Sequence, residues 1–157
     1  MARARVAELE RVGRSLAARL PQGPFAAEFY RIEFVVNRDK RTVVAMVRKR
    51  STTSGKPDAV GIAKCAPDDV FNADIGKAIA AERALGLTLT PEFVNAPKPD
   101  GMVAGMIVKY AHGRVAQTVD TPQSLRGRIT RLTTARMCGA VILDDTDAIY
   151  AKDGEAA

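Results

Sequence analysis

The sequence predicts an α+β fold, an antiparallel sheet with helices on one face, laid out as an α-β-β-β-α block followed by a β-hairpin, helix and strand extension. Three observations lead there. Val6, Leu9, Gly13, Leu16 and Leu20 recur at alternating three- and four-residue spacing, the stripe of a helix with one buried side. From 29 to 65 the period shortens to two, in three runs separated by turn-forming residues. Helical spacing then returns in Phe71, Ile75, Ile79 and Leu85.

The first helix covers Ala2–Leu20 and is ended by Pro21-Gln22-Gly23-Pro24. Its stripe has two possible uses: docking on the chain's own sheet, or a homo-oligomer seam through Val6, Leu9, Leu16 and Leu20. Phe29–Asn37 alternates Tyr30, Ile32, Phe34 and Val36 toward the core with Phe29, Arg31 and Glu33 outward. Asn37-Arg38-Asp39-Lys40 turns into a Val-rich strand, Arg41–Arg50, and Ser51–Pro57 is a loop before a third strand at Asp58–Cys65. Pro67 and the Asp68-Asp69 pair open the next helix, since short acids favour a helix N-terminus, and Gly86 stops it. Thr88–Gly101, with three prolines, is a surface connector. Met102–Tyr110 and Arg114–Val119 form a hairpin around Ala111-His112-Gly113. Thr121-Pro122 starts a helix reaching Met137, with Leu125, Ile129 and Leu132 on one face, and Ala140–Leu143 is a buried strand. The chain thus reads as a block at 1–86, a connector at 87–101, an extension at 102–150 packed on the block as one domain, and a loose tail at 151–157.

At 157 residues and 46% hydrophobic the chain can bury a core, and with 5% aromatics and no Trp that core is aliphatic. No run approaches the roughly 18 apolar residues of a membrane span, and Met1–Leu20 is too polar for a secretory signal, so no membrane partner is expected. Cys65 and Cys138 make no disulfide framework, which points to a reduced, cytoplasmic compartment.

The net charge of +6 is unevenly spread. Residues 1–50 hold 12 Lys/Arg against 5 Asp/Glu, while 51–100 hold 5 against 7. A basic first third fits phosphates or an acidic protein surface, and it also aids solubility. Two clusters are candidate binding sites. Arg48, Lys49 and Arg50, extended by Lys56, form a compact patch beside a loop able to wrap a ligand. Arg126, Arg128 and Arg131, with Arg136, spread around the expected fourth helix, either as a phosphate- or acid-binding face or as a solvated one.

Enzymatic chemistry is poorly supplied. The single histidine, His112, falls in a turn. One His and two separated Cys do not build an ordinary zinc site. Ser54-Gly55-Lys56-Pro57 lacks the upstream glycine and the hydroxyl residue of a phosphate loop, and Asp144, Asp145 and Asp147 lack the Gly and distal Glu of a calcium loop. No catalytic residue, metal site or cofactor is expected.

The element order of residues 1–86 is similar to a double-stranded-RNA-binding fold, in which the first strand turn and the start of the second helix grip phosphates. Arg38, Lys40 and Arg41 suit such a turn. Where that family places a Lys-Lys-x-x-Lys cluster, however, this chain has Asp68, Asp69 and Asp74, which repel a phosphate backbone. The segment Lys64-Cys65-x-Pro67-x-Asp69-x-Phe71, then Gly76-x-Ala78-x-Ala80-x-x-Arg83-Ala84-Leu85, resembles a sequence recurring in small uncharacterised bacteriophage and prophage proteins. That resemblance implies a phage-type origin and a place in the bacterial host cytoplasm or the virion, with no transferable activity. The function expected is a non-enzymatic binding protein whose basic surfaces meet nucleic acid or an acidic host or defence protein. The alternative is a virion or assembly component that self-associates.

Overall fold

The computed structural model describes residues 1–12, 29–52, 55–113, 116–120 and 129–150, with backbone only at 11 and 12. The fold is α+β, and the chain divides into two compact units. One comprises Met1–Cys65 and Ala73–Ala96, the other Ala66–Asn72 and Pro97–Ala157.

The first unit holds α1 (Ala2–Val12), β1 (Tyr30–Asn37), β2 (Thr42–Lys49), β3 (Ala59–Lys64), α2 (Ala73–Leu85) and α3 (Pro91–Val94). Its strands pair in the order β1-β2-β3, both pairs antiparallel. Strand alternation decides the faces: Val43, Ala45 and Val47 are fully buried toward α2, while Val44, Met46 and Arg48 lie half-buried on the opposite side. In β3, Gly61 and Ala63 are buried, and Val60 and Ile62 face outward. The turn between β1 and β2 is held by the Lys40 amide donating to Asn37 Oδ1 at 2.8 Å, with Arg41 in the left-handed region at φ 50°.

Small residues bring α2 down onto the sheet. Its buried face is Ala73, Ala78, Ala80, Ala81 and Ala84 with Leu85, and a Cβ on Gly76 would come within 2.7 Å of Val43 Cγ2. A Cβ on Gly61 would collide with the Ala80 carbonyl and lie 2.5 Å from the Ala84 amide nitrogen. Val6 and Leu9 of α1 are buried, Val6 in a cluster with Ala78 and Phe93 to which Phe34, Ile75 and Ile79 add half-buried flanks. This half of the expected seam therefore belongs to the unit's own core, and Leu16 and Leu20 lie outside the described residues. The stretch read as a surface connector contains α3, whose Phe93 fills that core.

The second unit holds β4 (Ile107–Lys109), β5 (Gln117–Val119), β6 (Ile129–Thr130), α4 (Leu132–Met137) and β7 (Val141–Asp144), the strands ordered β6-β5-β4-β7. Met106, Val108, Val119, Ala135 and Ala140 form its core. The sheet is mixed, because β5 and β6 run parallel while β4 pairs antiparallel with β5 and β7.

Several expectations are corrected here. The helix expected from Thr121 to Met137 is α4 alone among the described residues. Ile129 belongs instead to β6, where pairing with β5 overrides helical spacing. The hairpin at 102–119 exists, but its strands are three residues each. Asp68 and Asp69 do not start α2, which begins at Ala73. They occupy a preceding turn, where Asp69 Oδ1 accepts the Val70 amide at 2.8 Å. Phe71 is buried, yet off the α2 stripe: its amide donates to the Leu143 carbonyl at 2.9 Å, and its carbonyl accepts the Asp145 amide at 3.0 Å.

Candidate nucleic-acid interface

At the end of the first unit's sheet away from the Arg38–Arg41 turn, the start of β1 lies against the end of β2. Register sets Tyr30 opposite Lys49, and the Arg50 amide donates to the Phe29 carbonyl at 2.6 Å. This juxtaposition makes a concavity of about 450 Å³ lined by Phe29, Tyr30, Lys49, Arg50 and Ser51. Phe29 is 64% exposed, so its ring is open to solvent at this mouth. Lys49, Arg50 and Lys56 are exposed, so two aromatic side chains share one end of the sheet with three cations.

The mouth is braced from behind. Arg31 Nη1, the Thr52 amide and Thr52 Oγ1 all donate to the Lys49 carbonyl, at 3.0, 3.2 and 3.1 Å, which fixes the chain reversal after β2. Arg48 is part of this scaffold and does not face outward as a ligand. Its Nε donates to Glu33 Oε2 at 3.0 Å, and its Nη1 donates to the Gly55 carbonyl, tethering the loop that carries Lys56. Arg31 Nε donates to the other Glu33 oxygen at 2.8 Å. The hydrogen bond from Arg31 holds the Glu33 carboxyl below its usual range, and although desolvation opposes it, the charges of Arg31 and Arg48 and the Arg48 hydrogen bond add to the lowering. Two guanidinium groups around one carboxylate leave the bracing trio net positive.

The structure thus brings together Lys49 and Arg50, keeps Lys56 on the adjoining loop and turns Arg48 inward. Arg126 and Arg128 lie outside the described residues. Arg131 is exposed at the start of α4 in the second unit, and Arg136 Nη2 there donates to the Met102 carbonyl at 2.7 Å. Sequence reasoning missed Phe29 and Tyr30 as site residues. The available signal was an aromatic pair opening a strand whose antiparallel neighbour ends in Lys-Arg.

The other end of the sheet is poorly suited to a phosphate grip. Arg38 and Lys40 are exposed there, but Arg41 Nη2 points at Cys65 Sγ, 3.0 Å away. Asp74 in the first turn of α2 is engaged by Arg3 and by Lys77 Nζ at 3.4 Å. In the second unit, His112 sits exposed in the turn closed by the Gly113 amide on the Tyr110 carbonyl at 2.9 Å. Asp144 and Asp145 are used internally: Asp144 Oδ1 accepts the Thr146 amide at 2.8 Å, and Asp145 Oδ1 accepts Asn72 Nδ2 at 2.9 Å. Burial, opposed by the Asn72 and Tyr150 hydrogen bonds and aided by the Asp144 charge, pushes the Asp145 carboxyl upward. No helix among the described residues is long and apolar enough to cross a membrane. The chain matches no protein-family model, no curated protein and no solved structure.

Proposed function

We propose that this protein binds single-stranded nucleic acid at the end of its first sheet, with Lys49, Arg50 and Lys56 meeting backbone phosphates and Phe29 and Tyr30 offering ring faces to bases. The observation that carries this reading is the exposed Phe29 beside Tyr30, Lys49 and Arg50 in one concavity. Single-strand binders combine those two groups, because every base has a π-face and every linkage a negative charge. Duplex RNA is the weaker fit, since Asp74 occupies the start of α2 and is held by Arg3 and Lys77.

The reading has a direct mutational test. Stacking contributes about 1–3 kcal/mol per base, so Phe29→Ala weakens a fluorescently labelled single-stranded oligonucleotide by roughly tenfold. Lys49→Ala and Arg50→Ala weaken it comparably, while Lys109→Ala in β4 leaves it unchanged. Equal loss for Lys109→Ala would reduce the interaction to bulk charge. Retention of full affinity by Phe29→Ala would remove the stacking part of the proposal. Acidic protein surfaces lack bases to stack, so a partner of that kind would respond to the two cation variants and not to Phe29→Ala.

A further inference from the structure

Among the described residues β1 is an edge strand of eight residues with no proline. Long edges of this kind are templates for strand pairing. The Phe29–Arg50 hydrogen bond fixes which backbone groups face which way. In an antiparallel ladder, Phe29, Arg31, Glu33 and Val35 direct their backbone groups to β2, and Ile32, Phe34 and Val36 direct theirs to the open edge. The side chains of these last three are only half-buried and line a groove of about 580 Å³ with Val6 and Ala7 of α1. On the opposite face Val35 remains 51% exposed. The strand therefore offers hydrogen-bonding groups, a groove and exposed apolar side chains along one line.

We infer that a second copy of this chain pairs with β1 edge to edge, antiparallel and about a twofold axis, joining the two sheets into one of six strands. The pattern of charges selects the register. Three registers centred on the strand keep edge-facing backbone groups opposed. Centring on Glu33 sets two carboxylates face to face, which is destabilising. Centring on Phe34 puts Glu33 against the partner's Val35, so neither Arg31 nor Glu33 meets an opposite charge across the seam. Centring on Ile32 puts Arg31 against the partner's Glu33 and, by symmetry, Glu33 against the partner's Arg31. It also sets exposed Phe29 against the partner's exposed Val35. Arg31 and Glu33 fall at a non-hydrogen-bonded position, where opposite side chains approach most closely. Only the Ile32 register satisfies both charge and apolar complementarity, and it directs Tyr30 of one copy toward the groove side of Phe34 in the other.

Sedimentation velocity of the full chain, from low micromolar to near-millimolar concentration, tests this. A monomer–dimer equilibrium is expected. Ile32→Pro removes an edge-facing donor without touching the β1–β2 ladder, and it weakens the dimer by roughly tenfold or more. Arg31→Glu leaves Glu33 its Arg48 bond and opposes carboxylates twice across the seam, so it also returns monomer even where the proline variant does not fold. Val60→Lys, an equally exposed position on β3, leaves the dimer intact. A strict monomer, a dimer indifferent to Arg31→Glu, or a dimer lost equally in Val60→Lys overturns the inference. Sedimentation is run without nucleic acid, because the seam and base stacking draw on the same Phe29 and Tyr30 rings, so its outcome stands apart from that of the oligonucleotide titration.

Discussion

A carboxylate without solvent access needs its lone pairs answered by protein donors, and Glu82 is fully buried in α2. Its Oε1 accepts Arg5 Nε at 3.0 Å and Thr90 Oγ1 at 2.6 Å, and its Oε2 accepts the Thr90 amide at 2.9 Å. One side chain therefore ties α1, α2 and the residue preceding α3. Glu82→Ala takes from Arg5 one of its two carboxylate partners and strands both Thr90 donors. Breaking a buried pair by removing one partner costs roughly 3–5 kcal/mol, with the lower end expected because Arg5 retains 30% side-chain exposure and a bond to Glu8. Urea denaturation measures this, and an effect below that of an ordinary surface substitution would contradict the assigned role. Nothing in the sequence flags Glu82. Helical spacing alone gives a charged residue to the solvated face, and here a polar tie between helices overrides that default.

At the scale of elements, the β3–α2 contact and the Arg31–Glu33–Arg48 ladder each make a distinct claim. Gly61 sits where β3 meets the Ala80 carbonyl, so Gly61→Ala must push helix from sheet, a cost of about 1–3 kcal/mol by overpacking. Thermal denaturation reads it, and an unchanged midpoint would mean the helix shifts without loss. The ladder responds to pH. Because Arg31 and Arg48 depress the folded-state pKa of Glu33, its stabilising contribution is present above the ordinary Glu range and is lost as pH falls through the depressed folded value. A carboxyl-resolved NMR titration is expected to place Glu33 below the ordinary glutamate range, and Arg31→Ala to bring it back toward that range. Period-two alternation made the three strands of the first unit legible to within a residue or so. The extension was less legible, because its strands are too short for periodicity to show. Ile129, spaced like a helical residue from Leu125 and Leu132, is placed by its parallel partner β5 and not by its neighbours in sequence.

For the whole molecule, the α+β class and the first five elements followed from patterning, whereas the candidate site followed only in part. The Lys49-Arg50 pair was visible as a run of charge. The inward turn of Arg48 was not, because it depends on Glu33 lying across the ladder, and the aromatic half of the mouth depends on the register that sets Tyr30 against Lys49. The central claim is that this end of the sheet neutralises phosphates while stacking bases. Its most direct test is a titration of the protein with a single-stranded oligonucleotide across a range of salt concentrations. Three phosphate contacts, from Lys49, Arg50 and Lys56, predict a slope of log affinity against log salt of about −2. Binding absent at low salt, or binding whose affinity does not change with salt, would contradict the account.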